Sequence, residues 1–285
     1  MSPTTTGKTV FEEYASELGL DLDFKQPAAP AYHRSGGRLL RVSATEALFP
    51  GIMVLGDALG DDKEADHIEK YWIETARAEK ASVPAFLRMA RELDLTGAPS
   101  SLQRAARLAA GDEARHTRMC LAEADSARGR IWSLDELDSA PRIIDLATLA
   151  EEAWLDGCLG EAQAAEALQA AADEAHSSEL RNVLNSIAHD ERKHAELAWA
   201  VLDWTLREGG SATRDLIAAH LDLEEMKNPS DHEDANSEDL ELDQDQLVAS
   251  GVTTSQVLSD AGERVGESAR KRAAALLHWT TTSTN

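Results

Sequence analysis

One pattern, D-E-x-x-H, occurs twice in this chain of 285 residues: as Asp112-Glu113-Ala114-Arg115-His116 and as Asp190-Glu191-Arg192-Lys193-His194. On a helix, a Glu and a His three residues apart share a face, so a carboxylate oxygen and an imidazole nitrogen reach one point. Oxygen and nitrogen donors together suit iron, manganese or zinc. A single such match in a charged helical chain reads more readily as a solvated face with an incidental histidine. Two matches at mirrored places ask for a fold that turns two helix interiors toward each other, and no other feature constrains the chain as strongly.

The surrounding sequence supplies the helices. From about residue 62 to 208, Ala, Leu, Glu and Arg dominate and apolar residues recur at three- and four-residue spacing. Four long helices are expected. The first covers roughly 63–94 and ends at Thr96-Gly97-Ala98-Pro99. The second covers roughly 100–125, with Ser100 as cap and Gln103 in the capping-box position. The third covers roughly 142–174, with Pro141 at its start, and the fourth roughly 178–207, capped by Ser177 or Ser178 and closed by Gly209-Gly210. Short turns make the first and second helices one antiparallel hairpin, and the third and fourth another. The connection from Ser126 to Pro141 is about 16 residues long, enough to run back along a bundle. This predicts two hairpins joined by a long crossover rather than an up-down-up-down bundle.

Each hairpin also pairs acids across its turn. Glu79 and Glu113 lie 34 residues apart, centred on the first turn, and Glu161 and Glu191 lie 30 apart, centred on the second. Residues symmetric about a hairpin turn stand at the same height. Di-metal bundles take one Glu from each of two helices and one Glu-x-x-His from each of the other two. The predicted ligand set is therefore Glu79, Glu113, His116, Glu161, Glu191 and His194. Four carboxylates and two neutral imidazoles carry −4, which balances two divalent cations. Glu113 and Glu191, on the histidine-bearing helices, are expected to bridge the metals, with Glu79 and Glu161 terminal. Asp112 and Asp190 are expected to stand behind the ligands and orient histidine N–H groups on the opposite helix.

With these residues in view, the chain resembles the ferritin-like di-iron carboxylate superfamily over roughly residues 62–208. Glu79-Lys80-Ala81-Ser82-Val83-Pro84-Ala85-Phe86, Asp156-Gly157-Cys158-Leu159-Gly160-Glu161 and His194-Ala195-Glu196-Leu197-Ala198-Trp199 are similar to helix patterns of uncharacterised bacterial ferritin-like proteins. Those relatives often have His where this chain has Lys80, and Glu where it has Asp156. Asp156 therefore stands as an alternative to Glu161 for the third helix, with hairpin symmetry favouring Glu161. The resemblance implies an all-α fold, a ferritin-like four-helix bundle with a long crossover. It also implies two iron ions, or a Mn/Fe pair, in an oxidoreductase that activates O2 to oxidise a small-molecule substrate, served by a redox partner. The alternatives are a ferroxidase or iron-handling protein, and a non-catalytic scaffold stabilised by metal.

Composition sets the remaining expectations. The chain carries 28 Lys+Arg against 52 Asp+Glu, a net charge of −24, which argues against nucleic acid and anionic membrane as partners. Residues 224–245 hold ten acids and one base, −9 of that total. The chain divides into an N-terminal extension (1–61), the bundle (62–208), an acidic linker (209–250) and a C-terminal amphipathic helix (251–285). That last helix is expected to dock through Val257, Leu258, Ala261, Val265, Ala269, Ala273 and Leu276. No signal peptide or membrane span is read, and two cysteines fit a cytoplasmic protein. Cys120 and Cys158 should lie about 15 Å apart along the bundle axis and form no disulfide.

Overall fold

Gly97 sets the first turn of the bundle. Its φ of +79° is the left-handed conformation that ends a helix. Around it the Ala98 N–H bonds to the Leu93 carbonyl at 2.8 Å and the Gly97 N–H to that of Asp94 at 3.1 Å, the paired bonds of a Schellman motif. In this computed structural model, which describes residues 32–35, 38–41, 63–128, 145–226 and 242–282, that turn joins α1 (Lys63–Leu95) to α2 (Ser100–Arg128). α2 starts on the Pro99 carbonyl, which accepts from the Leu102 and Gln103 N–H groups. The Gln103 side chain donates to the Ala98 carbonyl, so Ser100 is the first helical residue and the expected capping box does not form.

The second hairpin begins with α3 (Leu146–Glu152), a π-helical segment (Ala153–Glu161) and α4 (Ala162–Glu174), which follow one another without a break. It returns as α5 (Ser178–Glu208), whose cap is Ser177, accepting from the Leu180 N–H at 3.0 Å. Asp112 faces His194 and His116 faces Asp190, so α2 and α5 run antiparallel. The third helix is also antiparallel to α5, hence parallel to α2. That direction requires the long crossover, whose residues 129–144, Pro141 among them, lie outside the described residues.

The apolar interior is split in two. One cluster, around Phe86, Trp154, Cys158, Trp199, Leu202 and Leu206, fills the end nearer the first turn. The other, around Trp72, Cys120, Leu180, Leu184 and Ile187, fills the opposite end. The cysteines fall in different clusters, and both are buried and free, as their axial separation requires. Charged side chains occupy the level between.

Beyond the bundle the fold departs from the sequence reading in two places. Within the expected linker, Gly210–Met226 forms a helix, α6, that packs Ile217 into the core and sets His220 2.8 Å from Glu151. The acidic run beginning at Glu224 obscured the apolar spacing of Ile217 and Leu221 just before it. Residues 227–241 lie outside the described residues. Of the N-terminal extension, for which no strand is predicted, Tyr32–Ser35 (β1) and Arg38–Arg41 (β2) form an antiparallel hairpin. In the sequence Gly36-Gly37 stands between them, a two-residue hairpin signal.

The C-terminal segment returns as α7 (Gln244–Ala249) and α8 (Ser255–Thr282). α8 buries Ala261, Val265, Ala269 and Ala273, while Leu258 is 38% exposed. Arg272 holds it down, forked onto Glu196 at 2.7 and 2.9 Å and stacked over the Trp199 ring. Between α7 and α8 the chain crosses the far end of the bundle, where the Ser250 carbonyl accepts from Trp72 Nε1 and Tyr71 meets Thr253. No described helix is long and apolar enough to cross a membrane.

Candidate metal centre

The level between the two clusters holds all six residues of the predicted set. Ligand atoms of Glu79, Glu113, His116 and Glu191 lie within 4.8 Å of one another, and so do those of Glu113, Glu161, Glu191 and His194. The two tetrads share Glu113 and Glu191. Each adds one further carboxylate and one imidazole. Asp156 belongs to neither. Glu113, His116, Glu161, Glu191 and His194 are buried and Glu79 nearly so.

Both histidines are held the same way round. His116 Nδ1 faces inward, 3.3 Å from Glu79 and 3.1 Å from Glu191. Its Nε2 faces outward, 3.4 Å from Asp190. His194 Nδ1 lies 3.0 Å from Glu113 and 3.3 Å from Glu191, and its Nε2 lies 3.5 Å from Asp112. Each aspartate thus stands behind the histidine of the opposite helix. Arg115 donates to both aspartates, and Lys193 donates to Asp190 at 2.9 Å. On the inner side, Phe86 packs against His194 with ring centroids 5.0 Å apart.

Burying this much charge has visible electrostatic consequences. Burial pushes the Glu113 carboxyl well above its usual range, and the neighbouring Glu191 and Glu79 charges push the same way. Burial acts on Glu191 too, but hydrogen bonds with His116 and His194 outweigh it and hold that carboxyl low. Burial lowers the affinity of each imidazole for a proton. The facing carboxylates reverse this, so His116 is pushed up to about 11 by Glu191 and Glu79, and His194 to about 12 by Asp112, Glu113 and Glu191. Protons therefore balance a cluster of carboxylates that cannot all stay charged alone.

The donor set fits a pair of divalent cations. Four carboxylates and two imidazoles converge on two adjoining points, and the carboxylates common to both suit a bridge. Glu113 Oε1 is buried 3.0 Å from His194 Nδ1 without an aligned hydrogen bond, and a cation would satisfy it.

Glu161 reaches the centre from the last residue of the π-helical segment, which sequence periodicity did not anticipate. π-helical turns are rare and concentrate at functional sites. Here the segment also contains Gly157, where a Cβ would stand 2.1 Å from Ala198 Cβ on α5. Gly157 lets the two helices approach this closely, and its signal in the sequence was a glycine inside a helical run. Arg115 was also missed. Its signal was positional: a base fills the fourth place of both D-E-x-x-H copies, Arg115 in one and Lys193 in the other.

Residues 73–202 match the rubrerythrin family, and the match takes in all six converging residues. No curated protein and no solved structure matches the chain. Proteins of that family are redox-active di-iron proteins, and the two carboxylate–histidine tetrads are of the kind their di-metal sites use. Residues 73–202 are a rubrerythrin domain, a member of the ferritin-like di-iron superfamily carried between its own terminal extensions.

Proposed function

We propose that the protein is a non-haem di-iron oxidoreductase that reduces O2 and couples the reaction to oxidation of a second substrate. The observation that carries this reading is the pair of tetrads sharing Glu113 and Glu191. Glu79 and His116 would complete one iron site, and Glu161 and His194 the other. Two iron ions held there would supply the electrons that O2 takes up. The chain's own residues do the rest. Asp190 holds the outer Nε2 proton of His116, and Asp112 Oδ2 stands 3.5 Å behind the Nε2 of His194, an arrangement that would leave each inner Nδ1 lone pair for a metal. Glu113 and Glu191 each place an oxygen within reach of both sites. Phe86 and the two apolar clusters keep water away from the centre.

The test is metal analysis with optical spectroscopy after anaerobic Fe(II) loading and admission of O2, on wild type and Glu191→Ala. Wild type should bind two irons per chain and show an oxygen-dependent absorbance change. Glu191→Ala, which removes a ligand from both tetrads, should lose both properties. Wild type without metal, or a variant that reacts like it, overturns the reading. Continuing oxidation of many Fe(II) per chain would assign the centre to iron handling instead.

A further inference from the structure

We propose that Arg115 is a positioning residue that couples the two halves of the centre, and that the half containing Glu161 and His194 depends on it more. The inference rests on the di-metal reading above. Arg115 Nη1 donates to Asp112 Oδ1 at 2.7 Å, and Nη2 donates to Asp190 Oδ2. Asp112 Oδ2 backs His194 and Asp190 Oδ2 backs His116. A single planar guanidinium, with its donors in a fixed fork, thereby sets the position of both aspartates and through them both imidazoles.

The repeat would allow a symmetric arrangement, each base serving the aspartate three residues before it. The structure breaks that symmetry. Arg115 reaches across to the other helix, whereas Lys193 stays with its own Asp190. Asp190 is accordingly held by two cations and its side chain is only 7% exposed. Asp112 is 26% exposed, and besides the His194 that it backs it is held, among the described residues, by the Arg115 guanidinium. Removing Arg115 leaves Asp190 its lysine and leaves Asp112 no Arg or Lys to fix it behind His194. His194 then loses the support behind its outer nitrogen, while His116 keeps most of its own. Loss of such an outer partner typically weakens metal binding about 10–100-fold.

The experiment is anaerobic titration with Co(II) as the probe, followed by calorimetry and by the visible ligand-field spectrum. It uses wild type, Arg115→Gln, Arg115→Lys, Asp112→Asn and the double variant Arg115→Gln/Asp112→Asn, with circular dichroism melts of each. Wild type should bind two Co(II). Arg115→Gln should keep one site near wild-type affinity and weaken the other at least about tenfold. Arg115→Lys, which keeps the charge but reaches one aspartate at a time, should restore part of the loss. In the Asp112→Asn background Arg115→Gln should weaken that site little further, because the two act through one path. Two wild-type-like sites in Arg115→Gln, equal weakening of both, or full additivity with Asp112→Asn would each overturn the inference. Should Arg115→Gln not fold, Arg115→Lys decides: unchanged affinity at both sites overturns it, and selective loss at one supports it. Wild type that binds no Co(II) would instead overturn the di-metal reading on which the inference stands.

Discussion

Metal binding at this centre should be steeply pH-dependent through the neutral range. In the metal-free chain His116 and His194 are held up to about 11 and 12, so both are protonated at pH 7. The Glu113 carboxyl is pushed up too, by burial and by its carboxylate neighbours. A metal accepts only neutral imidazole and ionised carboxylate, so two cations entering together displace at least the two histidine protons. Each displaced proton makes affinity rise about tenfold per pH unit, so the combined affinity for the pair should climb at least about 100-fold per unit. An ordinary histidine, with a pKa of about 6.5, would cease to contribute above about pH 7. Here the rise should continue well beyond it. Competitive titration with Zn(II) against a chelator of known proton affinity, at about pH 6, 7 and 8, measures the slope. Calorimetry in buffers of different ionisation enthalpy counts the protons directly. A slope that levels off near pH 7, or a count of zero, would refute the charge balance inferred for the centre.

Without metal the sign is different, because raised histidines stabilise the fold wherever they are charged. That contribution is full below about pH 6.5, shrinks steadily as pH rises from there, and is gone once pH has passed through about 11 to 12. Asp112, lowered to about 2 by His194 and Arg115 against the effect of burial, contributes above its ordinary value and loses its contribution as pH falls through about 2. Metal-free melts should therefore fall steadily as pH rises above about 6.5, over the same range in which metal affinity climbs.

Glu161→Ala should lower the metal count from two toward one while Asp156→Ala leaves two, as measured by elemental analysis after gel filtration; equal counts would reopen the choice between them. Gly157→Ala should lower stability by about 1–2 kcal/mol in urea, the overpacking against Ala198 exceeding the gain in helix propensity. A variant as stable as wild type would show that the helices can part without cost. Leu202→Ala, fully buried, should cost about 2–5 kcal/mol, while Leu108→Ala, 61% exposed, should change stability by no more than about 0.5 kcal/mol. Similar losses at both would contradict the placement of the core.

The helices were legible because their pattern is local. Apolar spacing placed α1, α2 and α5 almost to the residue, and Gly97 and Ser177 marked their ends by backbone rules that need no tertiary contact. The six converging residues were legible because a metal-ligand pair is written at fixed spacing along one helix and a hairpin imposes mirror symmetry on the acids opposite. α6 was hidden because charge dominated the composition of its neighbourhood, and one buried Ile217 outweighs a surface of acids that water solvates freely.

The sequence by itself determined helix positions, hairpin pairing and which acids and histidines share a level, since each follows from periodicity or symmetry along the chain. Only the tertiary structure brought Glu161 rather than Asp156 among the converging carboxylates, because the π-helical segment changes the angle between residues five apart in a way that α-helical spacing does not encode. Only the tertiary structure, too, turned Arg115 toward the opposite helix. Sequence spacing places a base beside its own aspartate. Which second carboxylate its far nitrogen meets depends on how closely α2 and α5 pack and on the geometry of that contact.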